Sequence, residues 1–187
     1  VGGYFGPFLK FSGFDVIELT GKAEEDVIIV IDGNKGTVSI EKAPLEHKDA
    51  HVLGEELTTM YAEDDNDRKN VAVVCSGSAA DHCNLSMLNF TFYDPKRNVV
   101  RLKQAGRGGI GRVFADKHIK ALVCHFKGVK ANLNHVYDIS ILNRDGLKFH
   151  REVATQDDKQ NSMRKSGTAY SLRTLSDYDI LPTHNYK

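Results

Sequence analysis

The chain lacks a net charge, a paired cysteine motif and any long apolar run. Its 25 Lys and Arg cancel 25 Asp and Glu, which excludes a generally basic nucleic-acid binder. No apolar run is longer than Val27 to Ile31, which falls far short of the roughly 20 residues that a membrane span requires. The N-terminus also lacks the basic-then-apolar order of a secretory leader, so membrane insertion is not expected. Three cysteines, Cys75, Cys83 and Cys124, form no Cys-x-x-Cys pair. An odd number cannot all be bridged within one chain, and the expected setting is a reducing, cytoplasmic one with structural thiols. No internal repeat is present.

What remains is the composition of a globular protein, 41% apolar and 27% charged, rather than of a disordered one. A length of 187 residues suits one domain with a real core plus a short appendage, and is too short for a typical two-domain enzyme. The chain begins with Val1, followed at once by Gly2 and Gly3, so it is expected to start within a longer protein. The zero balance conceals an asymmetry. Residues Lys22 to Asp67 hold 13 acids against 4 bases, and Pro95 to Lys130 hold 10 bases against 1 acid. Two solvated faces that attract each other account for this in the simplest way, but the basic stretch surrounds a glycine cluster.

Local patterns predict a mixed α+β, β-rich, two-layer domain with a partly helical C-terminal appendage. Phe5 to Phe11 reads as a short apolar turn or helix. Phe14 to Leu19, Asp26 to Ile31 and Thr37 to Glu41 read as strands of a meander, the last two joined by the turn Asp32-Gly33-Asn34-Lys35-Gly36. Val52, Leu53, Leu57, Met60 and Tyr61 fall at helical spacing. Val71 to Cys75 is a short buried strand, and Leu88 to Tyr93 with Val99 to Leu102 brackets a second hairpin at Asp94 to Asn98. A helix over Ile110 to His118 and a strand over Ala121 to Phe126 follow. Beyond Gly128, Leu147, Phe149, His150 and Val153 have helical spacing, as does Thr168 to Leu175, and Gln156 to Ser166 reads as a polar connector.

The densest chemical signal is Gln104-Ala105-Gly106-Arg107-Gly108-Gly109-Ile110-Gly111. Closely spaced glycines let a backbone approach a ligand and aim successive N–H groups at it, and a helix starting just after adds its own unpaired amides, which suits phosphate. The alternative is a tight turn with no ligand. Gly106, Gly108 and Gly111 spell the dinucleotide fingerprint, but that fold needs a full-length helix and a ribose-binding acid about 20 residues on. Only nine residues separate Gly111 from Ala121, and residues 126 to 131 contain no acid. A nucleotide P-loop fails too, since no Gly-Lys-Ser/Thr follows. An anionic ligand held by backbone amides and Arg107 remains, with Arg101, Lys103, Arg112 and Lys117 raising the positive potential.

A second element, Gly2-Gly3-Tyr4-Phe5-Gly6-Pro7-Phe8-Leu9-Lys10-Phe11-Ser12-Gly13-Phe14-Asp15, gains meaning beside Gly21-Lys22-Ala23-Glu24, the Ala105 to Gly111 loop and Lys117-His118-Ile119-Lys120-Ala121. In this order they resemble the N-terminal domain of the aldehyde ferredoxin oxidoreductase family, over residues 1 to about 126. Gly167-Thr168-Ala169 and Leu181 to Tyr186 resemble the family's entry into its helical second domain. The resemblance implies residues 1–127 as the second part of a pterin-binding domain and 128–187 as a linker and the start of the next domain. It implies a tungsten or molybdenum bis-pterin cofactor, with Gly2 and Gly3 lining the pterin. Ala105, Gly106, Arg107, Gly108 and Gly109 would approach its phosphates, and a main-chain carbonyl of Gln104 or Ala105 would hold a magnesium ion.

The same resemblance places the ligands of a [4Fe–4S] cluster outside this chain, and assigns it no catalytic residue. The parent would act on an aldehyde or oxo-type substrate and pass electrons to ferredoxin or an iron–sulfur partner subunit. Beside the family, the Asp94 to Asn98 turn reads as an insertion, pointing to a divergent bacterial subgroup whose substrate need not be a simple aldehyde. Two other functions stay open: a non-redox module for a phosphate-bearing ligand, and an interaction subunit with the fold and no cofactor. His47 and His51 have a zinc spacing without a third ligand. Asp81, His82 and Cys83 mimic a nucleophile with its base, but adjacent residues do not face each other, and a polar turn is the expected state.

Overall fold

The computed structural model describes residues 2–44, 46, 49–128, 136–155 and 161–185. The chain divides into two compact units, Val1–Asn134 and His135–Lys187. The first is built on six strands: β1 (Val27–Asp32), β2 (Thr37–Lys42), β3 (Val71–Cys75), β4 (Leu88–Asp94), β5 (Val99–Ala105) and β6 (Ile119–His125). They form one sheet in the order β2-β1-β6-β3-β4-β5. The β1–β6 pair is parallel and the other pairs are antiparallel. This mixed sheet with helices is the α+β, β-rich class that the pattern predicts.

Burial sorts the strands by their place in the sheet. Every residue of β3 and β6 is buried, whereas β2 is exposed throughout. Strand alternation then sends residues to opposite faces. Ile29, Ile31, Val74, Leu122 and Cys124 pack with Phe5 and Phe8 of α1 (Phe5–Phe11) and with Phe114 of α3 (Ile110–Asp116). Ile28, Val30, Val73, Cys75 and Val123 pack on the other face with Leu53 and Leu57 of α2 (Ala50–Tyr61). Helical cover thus lies on both faces of the sheet, which gives three layers where two were expected. Asp49 caps α2, its carboxylate accepting the amides of His51 (2.8 Å) and Val52 (3.2 Å). Those two bonds hold the carboxyl below its ordinary range.

One expected strand is absent. Phe14 to Leu19 joins no ladder, although Phe14, Ile17 and Leu19 pack against the first core cluster. The reason is topological: β2 and β6 already occupy both sides of β1, so the predicted meander is a hairpin. Its turn is tied by the Asp32 carboxylate, which accepts the amides of Asn34 (3.0 Å) and Lys35 (3.1 Å).

In the second unit, α4 (Ile139–Thr155) covers the predicted helical spacing and is capped by Asp138, which accepts the amides of Ser140 (2.7 Å) and Ile141 (3.1 Å). It buries none of its residues. Two short helices follow, α5 (Ser162–Ser166) and α6 (Leu172–Asp177), with a 3₁₀ turn over Gly167–Ser171 between them. The expected connector is therefore helical over its last five residues, while 156–160 lie outside the described residues. No helix among the described residues is long and apolar enough to cross a membrane.

Candidate functional site

The edge strand β5 organises the site. It pairs with β4 so that Leu88 stands opposite Ala105, Phe90 opposite Lys103 and Thr91 opposite Leu102. The N-terminal glycines lie against this pair. The Tyr4 amide donates to the Thr91 carbonyl at 3.4 Å. A Cβ on Gly2 would meet Cγ of Lys103 at 2.8 Å, and one on Gly3 would meet the Thr91 carbonyl oxygen at 3.0 Å and Cβ of Phe90 at 3.1 Å. Gly3 also has a φ of 88°, a conformation glycine adopts without strain. Lys103 is two residues before Ala105, a distance of roughly 7 Å along a strand. The fold thus brings the two glycine elements together from opposite ends of the domain.

Charge gathers on the same patch. Lys103 Nζ and Arg101 Cζ each lie 5.8 Å from the Phe92 ring centroid, and the Tyr4 ring meets Phe92 edge-on at 5.9 Å. The Val100 amide donates to the Glu55 carboxylate at 3.0 Å, so it points away from β4. Backbone groups of an antiparallel strand alternate in direction. The main-chain groups of Leu102 and Gln104 therefore share that outward edge, and those of Ala105 turn toward β4. Between the two carbonyls considered for a cation, Gln104 has the accessible direction.

The glycine loop separates into two kinds of position. Gly109 and Gly111 are packed: added Cβ atoms would lie 2.0 Å from the Asn84 carbonyl oxygen and 2.5 Å from that of Met87. Gly106 and Gly108 are open, with only Met87 Cε at 3.9 Å from the first and nothing within 4 Å of the second, among the described residues. Arg107 between them is exposed.

The helix that follows offers fewer free amides than expected. The Gly111 amide donates to the Ser86 carbonyl (3.0 Å) and the Arg112 amide to that of Gly109 (2.9 Å). Arg112 also turns inward, donating to the carbonyls of Ala80 (3.2 Å) and Asp81 (2.5 Å), and Lys117 donates to the Gly21 carbonyl (2.6 Å). Of the cations expected to raise the local potential, Lys103 remains on the patch, with Arg101, which is ion-paired with Asp94 at 3.6 Å.

The profile describing the aldehyde ferredoxin oxidoreductase N-terminal domain matches residues 1–126. This chain belongs to the aldehyde ferredoxin oxidoreductase family. A tungsten-containing aldehyde ferredoxin oxidoreductase of Pyrococcus horikoshii is 30% identical over 187 residues, covering 100% of this chain and 28% of the relative. The Pyrococcus furiosus enzyme of the same name is 28% identical, with the same coverage. This family member therefore spans a little over a quarter of the length of those relatives. Among solved structures, the active site complex BamBC of benzoyl coenzyme A reductase, in complex with 1,5-dienoyl-CoA, is 26% identical with a TM-score of 0.49. That match covers 66% of this chain and 17% of the other.

The other candidate residues do not form the sites that their spacing suggested. His51 lies in the first turn of α2, and His47 lies outside the described residues, as does Val1. Among the described residues no cluster of three His, Cys, Asp or Glu forms a metal site. Asp81 ends a 3₁₀ turn and forms an ion pair with the buried Lys120 at 3.7 Å, while Cys83 is exposed. Sequence reasoning missed the contact of Gly2 with Lys103 and the support of the loop by Asn84 to Met87. Neither leaves a signal in residue spacing.

Proposed function

We propose that this chain is the pterin-binding part of a tungsten or molybdenum oxidoreductase. On this reading, residues 1–127 form the second part of its N-terminal domain, and 128–187 lead into a helical second domain. The observation that carries the reading is the convergence of Gly2 and Gly3 with Lys103 beside a loop whose open positions, Gly106 and Gly108, flank an exposed Arg107. The residues fit a bulky anionic group. Side chains are missing at Gly106 and Gly108, where the backbone can be approached, and the exposed Arg107 lies between them.

In this role Gly2 and Gly3 let the N-terminal backbone pack against Lys103, Phe90 and Thr91, which brings its other side to the pterin. The Ala105 to Gly109 backbone approaches the phosphates, and Arg107 supplies a charge-assisted hydrogen bond. The Gln104 carbonyl offers its outward lone pairs to a magnesium ion. Bound there, the metal centre supplies two-electron redox chemistry on an aldehyde or oxo-type substrate. This chain's residues bind and orient the cofactor and tune its surroundings through charge. The ligands of a [4Fe–4S] cluster would lie on residues elsewhere in the parent, with ferredoxin or an iron–sulfur partner subunit in the cytoplasm as the electron acceptor.

Metal and pterin analysis of the anaerobically purified parent tests the reading. Tungsten or molybdenum together with pterin is expected. A phosphate-bearing ligand without metal would make it a binding module, and neither would make it an interaction subunit. Arg107→Ala is expected to weaken cofactor retention by about 1.5–3 kcal/mol, the worth of a hydrogen bond to a charged group. Unchanged occupancy would place that contact elsewhere.

A further inference from the structure

The glycine loop does not hold its own shape. Asn84 to Met87, between the 3₁₀ turn at Ser78–Asp81 and β4, forms a shelf beneath it. The Asn84 carbonyl abuts Gly109, the Met87 carbonyl abuts Gly111, and the Ser86 carbonyl accepts the Gly111 amide. One shelf side chain reaches the open part of the loop. The pairing of Leu88 with Ala105 puts Met87 across from Gly106, where its Cε is the one heavy atom, among the described residues, within 4 Å of an added Cβ. The shelf's other large apolar residue, Leu85, is 81% exposed, against 40% for Met87.

Met87 also lines an open cavity of about 320 Å³, together with Ser86, Asn89 and His51. An unbranched thioether side chain bordering such space can adjust its position without disturbing the backbone. We infer that Met87 is a positioning residue: it bounds the approach to Gly106 and yields into this cavity when the loop takes its ligand. This rests on the cofactor-binding reading of the loop.

The test compares Met87→Ala, Met87→Leu and Leu85→Ala in the full-length parent. Two quantities are measured: hydrogen exchange of peptides covering residues 104–112 in cofactor-free protein, and the rate of pterin release from the loaded protein. For Met87→Ala, exchange and release are expected to rise about tenfold, the factor that corresponds to about 1.4 kcal/mol of local opening. Met87→Leu, which keeps the volume, restores both, and Leu85→Ala changes neither. Wild-type values in Met87→Ala would overturn the inference, and so would an equal effect from Leu85→Ala. A wild-type parent without pterin would overturn the proposed function alone, since the exchange measurement would still decide the role of Met87.

Discussion

Strands β6 and β5 have the same length and belong to the same sheet, yet all seven residues of β6 are buried and none of β5 is. In β6 the run Ala121, Leu122, Val123 and Cys124 feeds both core clusters. In β5 the side chains alternate between half-buried Val100 and Leu102 and exposed Arg101 and Lys103. The central strand is committed to holding the sheet. The edge strand keeps its charges and one row of backbone groups outward, and it carries the glycine loop at its end. Binding chemistry therefore sits where burial makes the fewest demands on residue type.

Matched truncations test that division. Leu122→Ala removes a buried side chain from β6 and is expected to cost about 2–5 kcal/mol. Leu102→Ala removes a half-buried one from β5 and is expected to cost about 1 kcal/mol. Urea unfolding of both variants measures the difference, and equal losses would remove the contrast.

The same contrast recurs inside the loop at smaller scale. Gly109 has a φ of 67° and faces a carbonyl oxygen 2.0 Å from its missing Cβ. Gly109→Ala is therefore expected to lose about 2–4 kcal/mol from left-handed strain and overpacking. Gly106→Ala meets open space and is expected to change stability by less than about 0.5 kcal/mol, while lowering cofactor content in the parent. Thermal unfolding paired with pterin analysis separates the two. A stable Gly109→Ala protein would mean that the shelf moves.

These distinctions show what the sequence could and could not reveal. The β4–β5 hairpin, the α2 spacing and the glycine loop were legible because each depends on neighbouring residues, through alternation, helical period or glycine content. Phe14 to Leu19 misled because a β-like composition cannot report that both sides of β1 are taken. The division of Gly106 and Gly108 from Gly109 and Gly111 was hidden for a related reason. It depends on Asn84 and Met87, whose carbonyls reach the loop through the fold. Lys103 could be counted as a cation, but its contact with Gly2 spans a hundred residues of chain.

Two aspartates carry the comparison into acid. Burial works to raise the Asp67 pKa, but the Asn70 side-chain amide at 2.8 Å and the Glu63 amide at 2.9 Å, with the charges of His125 and Lys127, bring it below the ordinary 3.8. Asp94, at the end of β4, is lowered chiefly by Arg97 at 2.7 Å. A carboxyl whose folded pKa is depressed stabilises the fold above its unfolded pKa, and that stability is lost as pH falls through the folded value. Asp67→Asn and Asp94→Asn should both flatten the acid limb of a stability profile below pH 3.8. Added salt should erase the Asp94 contribution first, since Arg97 is 66% exposed whereas the Asp67 side chain is 6% exposed. Equal salt sensitivity would mean that the end of β6 is as open as the hairpin turn.

The cysteines give the mildest probe, one that leaves stability untouched. Burial, with the negative charge of Asp49, pushes the Cys75 thiol up to about 12. Burial, opposed by the Ser12 hydroxyl and assisted by Asp32, pushes Cys124 in β6 up to about 11. Cys83, outside the sheet, is exposed. Thiolate is the reactive form, so a disulfide reagent at mildly alkaline pH should modify Cys83 in the folded chain and reach Cys75 and Cys124 after unfolding. Slow labelling of Cys124 would then measure how often the centre of the sheet opens. If Cys124 reacted as fast as Cys83, β6 would be opening as freely as the surface, and the contrast between a committed central strand and a free edge strand would fail.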